Sequence, residues 1–307
     1  MSQVLGLDLG GLGLKAALVD PVQGTVDKTW SQPLEARDVK TVEDLILLTC
    51  HEAGTPSAIG LAVPGAVSRV GRRVVRAANF PDWPAHMDWG TRLNEALGVA
   101  VFVENDAALF TYGNWRHGVA TGLRSVLGVT LGTGVGGGLV CGGDLWRGHR
   151  GFAAEVGHVL FEADGVPCGC GAKGCLEQYA STLFLLRATA EEAPDLLSDV
   201  PVSASGRVLA EKARAGDEFA MDLFRRLGRN LGWGLAGVLN VVDVEGLVLG
   251  GGLVGAKDLF EKEFDAALRE RAYAFTGEPP VVRWAVNPHQ GAVGAAFYAW
   301  DQKNSSS

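Results

Sequence analysis

A short strand, a glycine-rich turn and a returning strand occur twice in this chain of 307 residues, near the start of each half. In the first copy the turn lies at 10–13 and follows an apolar segment at 4–9. In the second copy the turn lies at 132–138 and follows an apolar segment at 126–131. Glycine is the residue that adopts such tight turn conformations readily. The repeat predicts two similar α/β lobes, with a ligand in the cleft between them.

The remaining pattern alternates helices and strands. A capping box at 41–44 predicts the start of one helix, and Asp88 and Gly98 predict the two ends of another. Helical periodicity predicts a long helical stretch over 204–240, and an apolar run at 246–249 predicts a buried strand. This alternation is typical of an α/β fold.

The charge balance excludes some classes of partner. The chain has 35 acidic and 27 basic residues, a net charge of −8, whereas nucleic-acid binders need a basic face. The first residues do not match a secretory signal, and no apolar run approaches the about 20 residues that span a bilayer. We therefore expect a cytoplasmic protein with no nucleic-acid partner and no membrane partner.

The two glycine turns predict a nucleotide-binding site. Backbone N–H groups of a tight glycine turn can bind phosphate without obstruction by side chains. Asp8 can hold Mg²⁺ directly or through water, and Thr133 adds a hydroxyl to the second turn. Neither the P-loop spacing nor a dinucleotide fingerprint followed by a helix is present. The predicted nucleotide-binding residues are Asp8, Gly10, Gly11, Lys15, Thr133, Gly134, Gly251 and Gly252.

An acidic residue marks the start of a predicted helix. Asp106 follows the apolar strand 99–103, at a helix N-terminus whose dipole favours a carboxylate. A carboxylate in this place can accept the proton of a hydroxyl group and orient its oxygen towards a γ-phosphate. The alternative is that Asn105 or Asp106 simply caps the helix.

A cluster of cysteines predicts a structural metal site. Three of the five cysteines fall within eight residues, and a histidine precedes them. A set of three thiolates and one imidazole is a closed tetrahedral arrangement typical of structural zinc. The predicted zinc ligands are His158, Cys168, Cys170 and Cys175.

The metal would fix two acidic residues beside it. Glu155 and Glu177 flank the predicted zinc ligands, and carboxylates and amides are suitable acceptors for a ligand with many hydroxyl groups. Asn79 can add one more contact, although Asn before an aromatic residue and proline is also common in turns. An exposed loop charge is the alternative for Glu155.

Taken together, these motifs resemble the ROK family of sugar kinases and sugar-responsive repressors. The resemblance runs from Asp8 to about Gly294. It implies an actin/hexokinase-like (ribonuclease H-like) fold with a small lobe at 1–104 and a large lobe at 105–289. The helix at 290–302 would pack on the small lobe.

The same resemblance implies roles for individual residues. Asp106 matches the family's catalytic base, and His158 would bind zinc through one ring nitrogen and face the sugar with the other. ATP, Mg²⁺ and a structural Zn²⁺ are the implied cofactors, and a dimer or tetramer is the implied assembly. The implied sugar-binding residues are Asn79, Asn105, Asp106, Glu155, His158 and Glu177.

We therefore expect an ATP-dependent kinase that phosphorylates a hexose at O6, with glucose first among the candidates. N-acetylglucosamine, N-acetylmannosamine and mannose remain open as substrates. A non-catalytic sugar sensor is the alternative from another class, and a repressor is disfavoured because the first turn leaves no room for a DNA-binding domain ahead of it. Two residues depart from the family pattern, since Leu12 stands where threonine is usual and Ala154 where glycine is usual.

Overall fold

The computed structural model describes residues 3–54, 56–68, 73–77 and 80–305. Within these ranges the strands are β1 (Val4–Gly10), β2 (Gly13–Asp20), β3 (Thr25–Pro33), β4 (Ile59–Val63), β5 (Ala66–Val67), β6 (Val74–Arg76), β7 (Val101–Asn105), β8 (Val126–Leu131), β9 (Val135–Cys141), β10 (Asp144–Leu145), β11 (Gly246–Gly250) and β12 (Val281–Trp284). The α-helices are α1 (Val39–Ala53), α2 (Trp89–Leu97), α3 (Asp106–His117), α4 (Thr182–Glu192), α5 (Val202–Arg214), α6 (Glu218–Val242), α7 (Glu261–Arg271) and α8 (Gln290–Ser305). Short 3₁₀ helices lie at Val156–His158, Leu176–Gln178, Pro194–Leu197, Gly252–Leu259 and Tyr273–Thr276.

The two large sheets have the same internal order. The first sheet has the order β3-β2-β1-β4-β7 and the second has β10-β9-β8-β11-β12. In each sheet, the first strand of a glycine-turn hairpin lies at the centre. The second strand of the hairpin and the strand after it lie on one side, and two later strands lie on the other. The pairs β1–β4 and β11–β12 are parallel, whereas β1–β2 and β9–β10 are antiparallel. The predicted internal repeat is therefore present in the topology.

The chain divides into two compact units, which differ from the predicted lobes 1–104 and 105–289. The predicted lobe boundary stays a prediction. Boundaries between the two units lie within β8 and β9, so each of these strands has residues in both units. The first unit comprises Met1–Gly128, Gly138–Ala154 and Asn287–Ser307; the second comprises Val129–Gly137 and Glu155–Val286.

Helices cover both faces of the first sheet. Side chains alternate along β1, so Leu5 and Leu7 join a core with Val42 and Ile46 of α1. The opposite face carries Val4 and the small residues of β2, which pack with α3 and α8. Asp8 shares this second face by the same alternation.

The helix α8 approaches the sheet backbone closely because glycines face it. A methyl group at Gly6 would overlap the carbonyl oxygen of Ala292, and one at Gly60 would overlap that of Ala295. The helix is rich in glycine and alanine, so its own side chains add little thickness. Glycine is required here for space, since neither Gly6 nor Gly60 has a positive φ angle.

In the second unit, α6 packs on α7 through glycines in the same way. A methyl group at Gly232 would lie 2.6 Å from the carbonyl oxygen of Phe264. Asp217 caps α6, and its side chain accepts a 2.9 Å hydrogen bond from the Ala220 N–H. Among the described residues, no helix has both the length and the apolar composition needed to cross a bilayer.

Of two sequence predictions about helices, one was correct but too coarse and one was wrong. The stretch 204–240 is two helices, because Gly216 has φ +94° and Asp217 begins a new helix. The capping box at 41–44 does not begin α1. The cap is Asp38, whose side chain accepts a 3.0 Å bond from the Thr41 N–H.

We expect Gly60→Ala to destabilise the protein by about 1–3 kcal/mol or more, because the new methyl group pushes α8 away from β4. Gly90→Ala is the matched control in the same unit, since a methyl group there would meet only ordinary contacts at 3.6 Å and beyond. Urea denaturation of both variants measures the free energy of unfolding. Equal stability of the two variants would contradict the close contact.

Candidate functional site

The first glycine turn lies beside a carboxylate with an unusual environment. Asp8 is paired with Lys15 across β1 and β2, and its Oδ2 would lie 2.5 Å from a methyl group at Gly291 in the first turn of α8. Burial raises the pKa of Asp8 from 3.8 to about 6, and the charge of Lys15 opposes this rise. At the tip of the turn, Leu12 is 70% exposed. The tip of the turn is therefore accessible from solvent, and the carboxyl group of Asp8 lies on the strand next to it.

The second turn joins β8 to β9 and is fixed by a side chain from outside the hairpin. Glu177 Oε2 accepts a 3.3 Å hydrogen bond from the Val135 N–H. Gly134 lies directly against this carboxylate, because a methyl group at Gly134 would overlap Oε2. Thr133 is exposed at the tip of the turn. The turn thus offers one hydroxyl on a backbone held in place by Glu177.

The glycines after β11 have two different roles. Gly251 has φ +90°, and a methyl group there would overlap the carbonyl oxygen of Leu131, so glycine is needed for packing. Gly252 has no neighbour within 4 Å of a methyl position, so it borders open space.

Asn105 and Asp106 form a hydrogen-bonded corner at the end of β7. Asn105 caps α3, since its Oδ1 accepts a 2.9 Å bond from the Ala108 N–H. Its Nδ2 donates to the Gly65 carbonyl and to Asp106 Oδ1, each at 3.0 Å. Asp106 Oδ1 also accepts a 2.9 Å bond from the Ala107 N–H. The capping role thus belongs to Asn105, while Asp106 is oriented as the first residue of the helix.

Sequence reasoning missed a buried ion pair next to this corner. Glu104 is 1% exposed and pairs with Arg147, which lies more than forty residues later in the chain. A charged residue at the end of the apolar run Val101–Val103 was the available signal for Glu104. Nothing in the local pattern points to Arg147 as its partner.

The structure brings the four predicted zinc ligands together in the second unit. Cys168 Sγ lies 3.7 Å from His158 Nδ1, and Cys170 Sγ lies 3.6 Å from Cys175 Sγ. All four ligand atoms lie within 4.8 Å of one another. A tetrahedral zinc site with Zn–S near 2.3 Å separates its ligand atoms by roughly 3.5–3.8 Å. The donor set and its spacing therefore fit a zinc ion.

The acidity of the cysteines depends on their surroundings. Burial raises the pKa of the Cys175 thiol to about 12, with further contributions from the neighbouring thiols. Burial also raises the pKa of Cys168, whereas the Ala172 backbone N–H lowers that of Cys170. A bound cation is what would stabilise thiolates in such a place.

Two acidic residues lie beside the cysteine cluster. Partial loss of hydration raises the pKa of Glu155, the charge of His158 lowers it, and that of Glu177 raises it further. Glu177 Oε1 accepts from Cys168 Sγ at 3.6 Å, so this residue contacts both the cluster and the second glycine turn. Ala154 has φ +63°, a left-handed conformation in which glycine is less strained.

The predicted site residues are distributed over the two units, and Asn79 lies outside the described residues. Those in the first unit are Asp8, Gly10, Gly11, Lys15, Asn105 and Asp106. Those in the second unit are Thr133, Gly134, Glu155, His158, Cys168, Cys170, Cys175, Glu177, Gly251 and Gly252.

Comparison with known proteins identifies relatives along nearly the whole chain. A model of the ROK family matches residues 4–302. A glucokinase of Streptomyces coelicolor is 36% identical over 272 residues, which cover 84% of each chain. A xylose repressor of Bacillus subtilis is 26% identical over 281 residues, covering 89% of this chain and 70% of the repressor.

The solved structures agree with the predicted fold. The ROK family glucokinase of Streptomyces griseus, in complex with glucose and AMPPNP, has a TM-score of 0.84 and 32% identity. The match covers 97% of this chain and 99% of that one. The prediction of an actin/hexokinase-like α/β fold with two lobes is therefore confirmed.

We expect Asp8→Asn to stabilise the protein at neutral pH. The pKa of Asp8 is raised in the folded state, so ionisation favours the unfolded chain, and this penalty grows as the pH rises from about 4 to about 6. A shift of about two units corresponds to at most about 3 kcal/mol.

Urea denaturation at pH 7.5 and pH 5 tests this expectation. The gain from Asp8→Asn should be largest at pH 7.5 and smaller at pH 5. Asp44→Asn is the control, because the Asp44 side chain is 60% exposed on α1. An equal gain at the two pH values would exclude the pKa of Asp8 as its source.

Proposed function

The chain belongs to the ROK family, and on that basis we propose that it is an ATP-dependent sugar kinase that phosphorylates a hexose at O6, with glucose as its first substrate. The single observation that carries the proposal is the orientation of Asp106. Its Oδ1 is held by the Ala107 N–H and by Asn105 Nδ2, at the N-terminus of α3. This is a fixed carboxylate in a place suited to accept a proton.

The proposed reaction is a direct phosphoryl transfer. Asp106 accepts the proton of the sugar hydroxyl while the hydroxyl oxygen forms a bond to the γ-phosphorus of ATP. The bond from that phosphorus to the β–γ bridging oxygen breaks, and ADP leaves with the electron pair. Asn105 fixes the direction of the Asp106 carboxylate through its own bond to the Gly65 carbonyl, so the base does not have to be oriented during the reaction.

The nucleotide phosphates are assigned to the glycine turns. The backbone N–H groups of Gly10 and Gly11 and the hydroxyl of Thr133 are the proposed donors, with Lys15 close by on β2. Mg²⁺ would neutralise phosphate charge and is assigned to Asp8. A carboxylate with a raised pKa fits this assignment, since a nearby cation stabilises its charged form. Gly252 borders open space suited to the nucleoside end.

We assign the sugar to polar residues that match the family's sugar-binding positions. The proposed contacts are Asn105, Asp106, Glu155, His158 and Glu177. Glu155 is exposed and lies next to His158, so its carboxylate is accessible to accept hydrogen bonds from hydroxyl groups. Asn79 remains a proposed contact on the family resemblance.

We also propose that zinc occupies the cysteine cluster as a structural ion. Its four protein ligands leave no open position for water, so the ion would shape the segment between Glu155 and Glu177. The family resemblance further supports a dimer or tetramer, and we propose that the protein works in the cytoplasm.

A second candidate function is a non-catalytic sugar sensor. The observation in its favour is Leu12, which is 70% exposed at the tip of the first turn and whose side chain has no group that can donate a hydrogen bond to phosphate. A xylose repressor is also among the relatives of this chain. Retention of Asp106 in its hydrogen-bonded corner favours the kinase.

Metal analysis tests the zinc assignment. We expect one zinc ion per chain in the purified protein, and Cys170→Ser should lose most of it and lower the Tm by at least about 5 °C. Cys141→Ser is the control, because Cys141 is exposed and lies outside the cluster. The bound zinc should also be released as the pH falls, since protons compete for the ligands. Full zinc content in Cys170→Ser would contradict the assignment.

A coupled assay of ADP release tests the function. Wild type is assayed with ATP and Mg²⁺ against glucose, mannose, N-acetylglucosamine and N-acetylmannosamine. We expect glucose to have the highest kcat/KM, and Asp106→Asn to lower kcat by a factor of about 10³ or more.

Asp44→Asn is the control variant on an exposed face of α1. If another sugar has the highest kcat/KM, the kinase proposal stands and its substrate changes. If sugars bind without being phosphorylated, the sensor replaces the kinase as the proposed function.

A further inference from the structure

The ion pair between Glu104 and Arg147 is buried although neither residue belongs to the proposed sugar or nucleotide contacts. The side chains are 2% and 15% exposed, respectively. Other ion pairs of the same unit lie nearer to solvent, such as Arg116–Asp301 with side chains 37% and 27% exposed. The pair joins the end of β7 to the segment after β10, and both belong to the first unit.

Burial of this pair is a poor way to gain stability. Two charges lose their hydration when they are buried, and an apolar pair of the same volume is often as stable or more stable. A buried pair does, however, define one geometry, because a displaced partner leaves an uncompensated charge. The pair is therefore better suited to fix positions than to hold the unit together.

The two oxygens of Glu104 have different partners. Oε1 accepts a 2.9 Å hydrogen bond from the backbone N–H of Asn105, while Oε2 pairs with Arg147. Asn105 in turn donates from Nδ2 to Asp106 Oδ1 at 3.0 Å. A continuous series of polar contacts therefore leads from Arg147 through Glu104 and Asn105 to Asp106.

Arg147 is itself anchored in a constrained segment. The preceding residue, Trp146, donates its N–H to the Leu139 carbonyl at 2.7 Å, and the Arg147 carbonyl accepts from the Ala153 N–H at 3.3 Å. Residues 147–153 thus form a closed loop that ends two residues before Glu155 in the chain. Glu104 holds the base of this loop through Arg147.

We propose that Glu104, held by Arg147, is a positioning residue that sets the orientation of the Asn105–Asp106 corner for phosphoryl transfer. This inference rests on the proposed kinase function, in which Asp106 is the catalytic residue. Neither Glu104 nor Arg147 is assigned a contact with sugar, nucleotide or metal. Their effect is expected in kcat, because they align the base, and much less in the KM values for sugar and ATP.

The test is a double-mutant cycle on the full chain. Glu104→Gln keeps an oxygen that can accept from the Asn105 N–H but removes the charge that Arg147 faces, and Arg147→Met removes the other charge. We expect each variant to lower kcat about 10- to 100-fold with KM values changed less than threefold. The double variant should be no slower than the slower single variant, because both changes break one connection.

Hydrogen exchange supplies a readout that does not require activity. The amides of Asn105, Ala107 and Ala108 are all bonded within the corner. Both single variants should exchange faster in this peptide than wild type, with no change at the far end of α3. Arg116→Gln is the control, since it breaks an ion pair at that far end and should leave kcat and the corner's exchange unchanged.

The outcomes separate this inference from the function on which it rests. Unchanged kcat in Glu104→Gln, multiplying losses in the double variant, or faster exchange across the whole unit would overturn the positioning role. If wild type turns over no sugar, the kinase fails, and exchange at the corner still decides whether Glu104 positions Asp106.

Discussion

The contact between α8 and the backbones of β1 and β4 is the constraint on which the first unit depends. Gly6 and Gly60 leave the helix so close that any side chain at either position would overlap its carbonyl oxygens. The same helix also packs against α3, where Gly113 and Gly294 face each other without side chains between them. Close packing of this kind tolerates little displacement. The spacing between sheet and helices is therefore fixed by residues that carry no chemistry.

This spacing defines the surroundings of two predicted site residues of the first unit, Asp8 and Asp106. Asp8 lies on the face of β1 that α8 covers, with its carboxyl group close to Gly291, and burial raises its pKa. Asp106 begins α3, whose position depends on the same helix. In the second unit, Glu177 has a comparable linking role, because it contacts Cys168 and the turn at Val135 together.

Much of the fold could be predicted because its signals are local. Apolar segments around glycine turns identified both hairpins, and Asp88 and Gly98 gave the ends of α2. The start of α1 was predicted at the wrong residue, because the polar residues 38 and 41 both fit a cap and only the backbone geometry selects Asp38. The break before α6 was missed because apolar spacing continues on both sides of Gly216.

The same distinction between local patterns and tertiary contacts applies to the candidate site. Cysteine spacing and the position of Asp106 after a strand are local patterns, and the structure brings the four predicted zinc ligands together. The pairing of Glu104 with Arg147 is set by tertiary structure, since the two residues lie on separate elements. No periodicity or motif relates such residues, so a single sequence contains no signal for the pair.

The place of α8 in the chain has a consequence for how the protein is made. The strands β1 and β4 emerge from the ribosome well before the helix that covers them, which begins about 280 residues after the end of β1. Until then the face of the sheet with Gly6 and Gly60 lacks the helix that packs directly on it, and contacts so distant in sequence form slowly. Translation of the first unit therefore starts before that of the second unit, but the first unit can complete its folding only after the second has been translated.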